Sequence, residues 1–401
     1  MVYTSGPPGA AATDAGRGYR VVRGGPVLLP TSGTTRRAVR LLSEVGASRV
    51  LFGAAAPLGL LAPALRRAGA QRVVGLTHGH EVWWARVPRA RRVLRRIGDS
   101  CDHLTTISDF TTDAIASALS PAARSRLLRL PPPLDLSRFA PTPSGPASTE
   151  LAAPEPFPGQ PLPERPLPGQ PFPERPFPGQ PFPGQPLPGQ PLPGEPVAGQ
   201  PAVGPAPWPA GAPRCIAVGR FVAQKGFDTL LQAWARVQDD WPPGRPRPEL
   251  VLVGDGPRRD QLGTLVAALG LGGHVRFTGA LGRTEVAAEL RAAQVFALPV
   301  RSRLGGLYAE GLGLAAVEAA ACGLPVVVGR SGGAPETVRD GETGVVVPPE
   351  DPGTLARVVA GLLLDPARAV AMGLAGRQLV AERYGREQAR TTLRHALGLP
   401  G

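Results

Sequence analysis

The stretch CIAVGRFVAQKGFDTL, residues 215 to 230, reads as an apolar run ending at Gly219, a turn carrying Arg220 and Lys225, and the start of a helix-like segment. The same rhythm continues downstream in ELVLVGDG, HVRFTG, QVFALPV and LPVVVG, each followed by a helical pattern. Upstream it appears in RVLFGAAAP (49 to 57), RVVGLTHG (72 to 79) and DHLTTIS (102 to 108), with a helix to about Gly69 and a basic helix over 86 to 97. Short buried strands alternating with helices predict an α/β fold with parallel sheets wound on both faces, and two such series predict two Rossmann-like halves. Ligands in such folds bind at the carboxyl ends of the strands, so chemistry is expected in the opening between the halves.

The length of 401 residues accommodates two ordinary domains. A formal charge of +13 favours an anionic partner such as a nucleotide, a nucleic acid or an acidic lipid headgroup. With only 5% aromatic residues and no zinc-finger or RNA-binding signature, nucleic acid is the weaker option. Cys101, Cys215 and Cys322 sit in apolar contexts and read as buried free thiols of a reducing compartment. No charge-free apolar run reaches the roughly 18 to 20 residues of a membrane span, so a cytosolic protein that touches a membrane surface is expected.

From Pro156 to Gln200 run nine pentapeptides, beginning PFPGQ PLPER, inside a proline-rich stretch from about 141 to 213. Proline fixes φ and removes backbone donors, which predicts an extended or disordered linker. The implied organisation is a first unit over 1–140, the linker over 141–213, a second unit over 214–384, and a final helix within 385–401 packing back on the first unit. An inert expansion is the preferred reading of the repeats; a docking site for proline-binding modules is the alternative.

Two places can carry chemistry. Lys225 is the only lysine in the chain, where every other basic position is arginine. Arg220 and Lys225 at a strand's carboxyl end suit a diphosphate; such a pair is ordinarily just solvated loop charge, but a lysine kept where all others are arginine shifts the balance toward a role. Glu310 and Glu318 lie eight residues apart around the turn Gly311-Leu312-Gly313, whose open amides at a helix start form an anion site. Glu318 interrupts the apolar helix AAVEAAAC, where an unpaired carboxylate is costly to bury.

VGRFVAQKG and EGLGLAAVE, with LVGDGP, VRFTG and SGGAPETVRDGETG, resemble the retaining GT-B glycosyltransferases of family 4, densely over 214 to 384. The segments LFGAAAPLGLLAPALRRAG (51 to 69) and LTHGHEVWWARVPRARRVLRRIG (76 to 98) are similar to the GDP-mannose-dependent phosphatidylinositol mannosyltransferases. The resemblance implies mannose transfer from GDP-mannose to a phosphatidylinositol mannoside, of the α-1,6 type, without a metal, at the inner face of the cell membrane. It implies that Arg220 and Lys225 grip the diphosphate and that the amides of Gly311, Leu312 and Gly313 hold its distal phosphate. Glu310 is then set on the sugar hydroxyls, Glu318 on the ribose, and Gly219 and Gly254 at the donor-side strand ends. His78 is placed beside the reacting centre, with His80 and Glu81 as weaker candidates and a simple strand-end histidine as the plainer reading.

Arg86, Arg89, Arg91, Arg92, Arg95 and Arg96 share a helical pattern with Val87, Val93, Leu94 and Ile97, a helix suited to an anionic leaflet or, more plainly, a solvated basic face. The family opens with a strand and a glycine-rich loop that the residues from Val2 onward do not supply, so the first unit is expected without them. Tyr308 stands where the family suggests an acidic or small residue. The alternatives are transfer of another sugar, such as glucose from UDP-glucose, to a soluble acceptor, or an inactive scaffold presenting the proline-rich tract.

Overall fold

The computed structural model describes residues 1–6, 14, 17–141 and 211–400; the pentapeptide tract lies outside the described residues. The N-terminal half contains strands β1 (Val2–Thr4) and β2 (Val21–Arg23), helix α1 (Ser32–Glu44), β3 (Arg49–Phe52), α2 (Ala55–Leu58), α3 (Ala62–Arg67), β4 (Arg72–Leu76), α4 (Glu81–Arg86), α5 (Pro88–Ser100), β5 (His103–Thr106), α6 (Asp109–Ala116), α7 (Pro121–Arg124) and β6 (Leu127–Arg129). The C-terminal half contains β7 (Arg214–Val218), α8 (Phe227–Asp239), β8 (Glu249–Val253), α9 (Arg259–Ala268), β9 (Val275–Gly279), α10 (Arg283–Arg291), β10 (Val295–Leu298), α11 (Leu314–Ala321), β11 (Val326–Gly329), β12 (Gly344–Val347), α12 (Pro352–Leu364), α13 (Pro366–Arg383) and α14 (Arg386–Leu397).

All the sheets are parallel. The C-terminal half has six strands in the order β12-β11-β10-β7-β8-β9. The chain therefore builds outward from β7 in one direction, then crosses back to build outward from β10 in the other, the doubly wound arrangement. Its central strands are fully inside: Cys215, Ile216, Val251, Phe296 and Val327 are all buried, and the helix residues Leu231, Trp234 and Leu355 cover them. The three cysteines are free and buried. In the N-terminal half β3-β4-β5-β6 form a four-stranded sheet, while β1 and β2 form their own ribbon. A cavity of about 270 Å³ lies between that ribbon, α1 and the full length of β3.

Several elements differ from the sequence expectation. The run RVLFGAAAP holds a strand only to Phe52, because α2 begins at Ala55. The basic helix expected over 86 to 97 is two helices. Val87 takes φ −89° and ψ 120°, the extended geometry that a following proline imposes, and Pro88 starts α5 at a position where its missing N–H costs nothing. Strands β6 and β12 and the β1-β2 ribbon were not anticipated. The final helix lies along the N-terminal sheet, where Arg49 Nε donates to the Leu397 carbonyl at 3.0 Å and Arg72 Nε to that of Ala396 at 2.9 Å. Among the described residues no single helix is long and apolar enough to cross a membrane.

The ends of β7 and β8 approach so closely that only glycine fits. Gly254 has φ +136°, and a Cβ there would sit 2.0 Å from the Gly219 carbonyl oxygen. Gly270 also has a positive φ, +67°, but opens on free space. Gly254→Ala is therefore expected to destabilise the protein by at least about 2 kcal/mol, clearly more than Gly270→Ala at about 1 kcal/mol. Equal denaturation midpoints for the two variants would contradict the close approach.

Candidate active site

The switch from β7 to β10 brings the loop carrying Lys225 beside the loop carrying Glu310. After β7 the chain turns through Arg220 and a short 3₁₀ segment, Ala223–Lys225, closed by Gly226 at φ +71°. A Cβ on Gly226 would fall 2.1 Å from the Pro299 carbonyl oxygen, so the two loops are in backbone contact at this point. Arg301 ties them further: its amide donates to the Gln224 carbonyl at 2.8 Å. Its guanidinium reaches Asp228 Oδ2 at 2.7 Å and Thr229 Oγ1 at 3.1 Å in the first turn of α8. Burial pushes the Asp228 carboxyl up, but the bond and charge of Arg301, with Arg258 behind, prevail and hold it below the usual carboxylate range.

Lys225 and Glu310 form an ion pair across the crevice, Nζ donating to Oε2 at 2.6 Å. The side chains retain only 18% and 14% of their exposure, and the Lys225 stem runs beside Gly219. Spacing along the sequence gave no sign of this pairing. Arg220 is exposed at the strand end. Next to Glu310, Gly313 opens α11 with φ +96° and no side-chain cap. Among the described residues nothing accepts from the amides of Gly311, Leu312 or Gly313. Four residues into α11, Glu318 is half buried, and burial pushes its carboxyl above the ordinary range, with only the Arg283 charge opposing.

The N-terminal half brings the turn after β4 against this loop. Gly79 has φ +95°, and a Cβ on it would lie 3.1 Å from the Gly311 Cα, so the two glycine turns touch. The fully buried Glu81 holds the turn from beneath, its Oε2 accepting from the amides of His78 at 2.9 Å and Gly79 at 3.1 Å. His80 Nε2 lies 3.4 Å from the other carboxylate oxygen. His78 is exposed, and its Nε2 is bonded to the Gly53 carbonyl oxygen. Ser108 Oγ donates to the Gly311 carbonyl at 2.6 Å, a contact between halves that sequence reasoning missed. Tyr308 is taken up in a bridge with Arg303.

The arginines sit differently from the sequence picture. All six are exposed, but Leu94 and Ile97 are fully buried in the N-terminal core. The apolar side of α5 is thus spent on the fold, and what faces outward is charge. Arg86, Pro88, Arg91, Arg92 and Arg95 line a cleft of about 400 Å³ with Ala118 and Leu119. Arg86 also donates to the Gly305 carbonyl of the C-terminal half at 3.1 Å.

The profile described as "Glycosyl transferases group 1" matches residues 205–379. The chain is 38% identical over 368 residues to the GDP-mannose-dependent alpha-(1-6)-phosphatidylinositol monomannoside mannosyltransferase of Mycolicibacterium smegmatis, covering 92% of this chain and 81% of that protein. It is 40% identical over 380 residues to the protein of the same name from Mycobacterium tuberculosis, covering 93% and 82%. Among solved structures, sucrose-phosphate synthase from Thermosynechococcus elongatus superposes with a TM-score of 0.64 at 23% identity, covering 94% of this chain and 82% of the other. Anabaena HepE with UDP and glucose gives a TM-score of 0.64 at 15% identity, covering 94% and 85%. A doubly wound C-terminal half, a cation paired with a glutamate at its switch point and relatives that align over most of their length agree: the chain belongs to the group 1 glycosyl transferases and has the GT-B fold.

Proposed function

We propose that this protein is a retaining mannosyltransferase that moves mannose from GDP-mannose to a phosphatidylinositol mannoside in an α-1,6-type transfer. The identity of 38% to 40% with enzymes bearing that name supports the reaction. The observation that carries the site is the 2.6 Å Lys225–Glu310 pair beside the open amides of Gly311 to Gly313. Cleavage of the bond between sugar and phosphate builds negative charge on the departing diphosphate, and a fixed cation with aligned amides stabilises that charge as it grows. In this reading Arg220 and Lys225 hold the diphosphate, Gly219 and Gly254 let it approach the strand ends, Glu310 orients the sugar and Glu318 the ribose. His78 faces the acceptor. The departing phosphate oxygen takes the proton of the attacking hydroxyl on the same face of the sugar, so no protein nucleophile is required.

Lys225→Ala is expected to lower mannosyl transfer from GDP-mannose by about 10²- to 10³-fold. Its melting temperature should stay within about 5 °C, since a part-exposed pair contributes on the order of 1 kcal/mol. A folded Lys225→Ala protein with full turnover removes the site from the reaction.

Glu318 supplies a pH signature. Its carboxyl binds a proton more tightly folded than unfolded, so its stability contribution is present at low pH and lost as pH rises through the raised folded pKa. The charged form is the one that accepts two hydroxyls, so GDP affinity should begin to fall on acidification at a higher pH than an ordinary glutamate would dictate. Glu318→Gln should flatten that profile and raise stability at neutral pH, both readable by calorimetric titration and thermal denaturation.

The exposed arginines of α5 are read as the contact with an anionic leaflet, in keeping with an enzyme at the cytoplasmic face of the membrane. With the apolar side of the helix buried, the contact is electrostatic. Replacing Arg92, Arg95 and Arg96 by Ala should lower co-sedimentation with phosphatidylinositol-rich vesicles by tenfold or more at low salt, from about 1 kcal/mol per charge, and leave neutral vesicles unaffected. Binding that survives both the triple variant and high salt would point to another surface.

A further inference from the structure

The start of helix α6 is completed by the other half of the protein. Its own Ser108 Oγ accepts from the Thr111 amide at 3.1 Å, but among the described residues the two preceding amides have no acceptor in their own half. They donate instead to Glu336 of the C-terminal half: Asp109 N to Oε2 at 2.7 Å and Phe110 N to Oε1 at 2.8 Å. Arg129 bridges the two halves at the same place, with 3.1 Å to Glu336 Oε2 and 2.7 Å to Asp109 Oδ2. Both carboxylate oxygens thus cap a helix across an interface, with the helix dipole and a guanidinium in support.

The segment carrying Glu336 is also the one that supports the donor loop. Gly333 N donates to the Glu310 carbonyl at 2.8 Å. A Cβ on Gly333 would lie 2.4 Å from the Gly311 carbonyl oxygen and 2.9 Å from Ser108 Oγ. Glu336, Gly333, Gly311 and Ser108 therefore form one continuous contact from helix α6 to the loop of Glu310. The bonds of Asp109, Phe110 and Arg129 to Glu336 and of Ser108 to Gly311 exist only while the halves are together, because each has its donor in one half and its acceptor in the other, whereas the Gly333–Glu310 bond lies within the C-terminal half.

We propose that Glu336 is a positioning residue that holds the two halves in register, so that the turn of His78 and Gly79 meets the Glu310–Gly311 loop. Its carboxylate oxygens are occupied by the Asp109 and Phe110 amides and the Arg129 guanidinium. The transfer described under Proposed function is the context for the kinetic arm, whereas the structural arm is independent of which sugar is moved.

The structural arm places dyes on Ala122→Cys in one half and Ala267→Cys in the other and reads single-molecule energy transfer. Glu336→Ala should shift the population toward longer distances, with Glu336→Gln, which keeps one accepting oxygen, in between. In the kinetic arm, Glu336→Ala should lower kcat for transfer to the lipid acceptor about tenfold while the Kd for GDP stays within about twofold, since one charged cap lost from the closed form alone shifts the closed population by roughly that factor. Unchanged distances in Glu336→Ala overturn the proposal. So does a loss of GDP affinity equal to the loss in kcat, which would make Glu336 a support of the donor loop only. If the distances shift but no mannose is transferred by the unmodified protein, the positioning role stands and the assigned reaction fails.

Discussion

The site depends on the pairing of Lys225 with Glu310 across the gap where the strand order turns back on itself. A part-buried ammonium without a partner is unfavourable, and so is a part-buried carboxylate; placed 2.6 Å apart, each offsets the desolvation of the other. Reaching that distance requires the loops after β7 and β10 to touch, which the missing side chain of Gly226 permits against Pro299 and which Arg301 enforces by gripping Gln224, Asp228 and Thr229 at once. The topology brings the two strand ends together, and the glycine and the arginine then convert adjacency into contact. Under the proposed function, the departing diphosphate meets a cation already in place, so little reorganisation is left for the reaction step.

A second feature is how much of the meeting between halves is made by backbone. Gly79 and Gly311 touch through their Cα atoms, and Gly333 lies against the Gly311 carbonyl and Ser108. Side chains at these points would hold the halves apart. Glu81, fully buried under the His78–Gly79 turn, shows the same economy from the other side, since its carboxylate fixes two consecutive amides and therefore the direction in which the turn points.

Much of this was legible beforehand, for a physical reason. Strands β4, β5, β7, β8, β10 and β11 are buried or half-buried parallel strands, and such strands read as short apolar runs. The glycine turn before α11 and the cation-bearing turn after β7 carry local signals of the same kind. What escaped are features set by partners distant in sequence. Strand β6 has three residues, none of them buried, so its pattern carries no signal until β5 is beside it. The Lys225–Glu310 pair spans 85 positions and the Glu336 cap 227, and neither residue has a neighbour in sequence that announces its partner. The break at Val87 was readable, because Pro88 forbids a continuous helix; the periodicity of the arginines masked it.

That break also explains why α5 combines a largely buried apolar side with an outward run of arginines. Ending α4 at Arg86 lets the chain change direction, so Leu94 and Ile97 enter the N-terminal core while Arg89, Arg92, Arg95 and Arg96 face out. A helix that kept its apolar side for lipid would be missing from the core of its own half. One that spends it on the core can attract an anionic surface only through charge, an attraction that falls with ionic strength within a Debye length of about 8 to 10 Å. Inside the crevice Lys225 is matched by Glu310, whereas at the surface of α5 five guanidiniums, Arg89 to Arg96, have only Asp99 among the acids of the same helix. Positive charge is thus left unbalanced along the outer side of α5 and balanced at the Lys225–Glu310 pair. Under the proposed function, this separation combines loose attachment to a surface with tight geometry at the reacting centre.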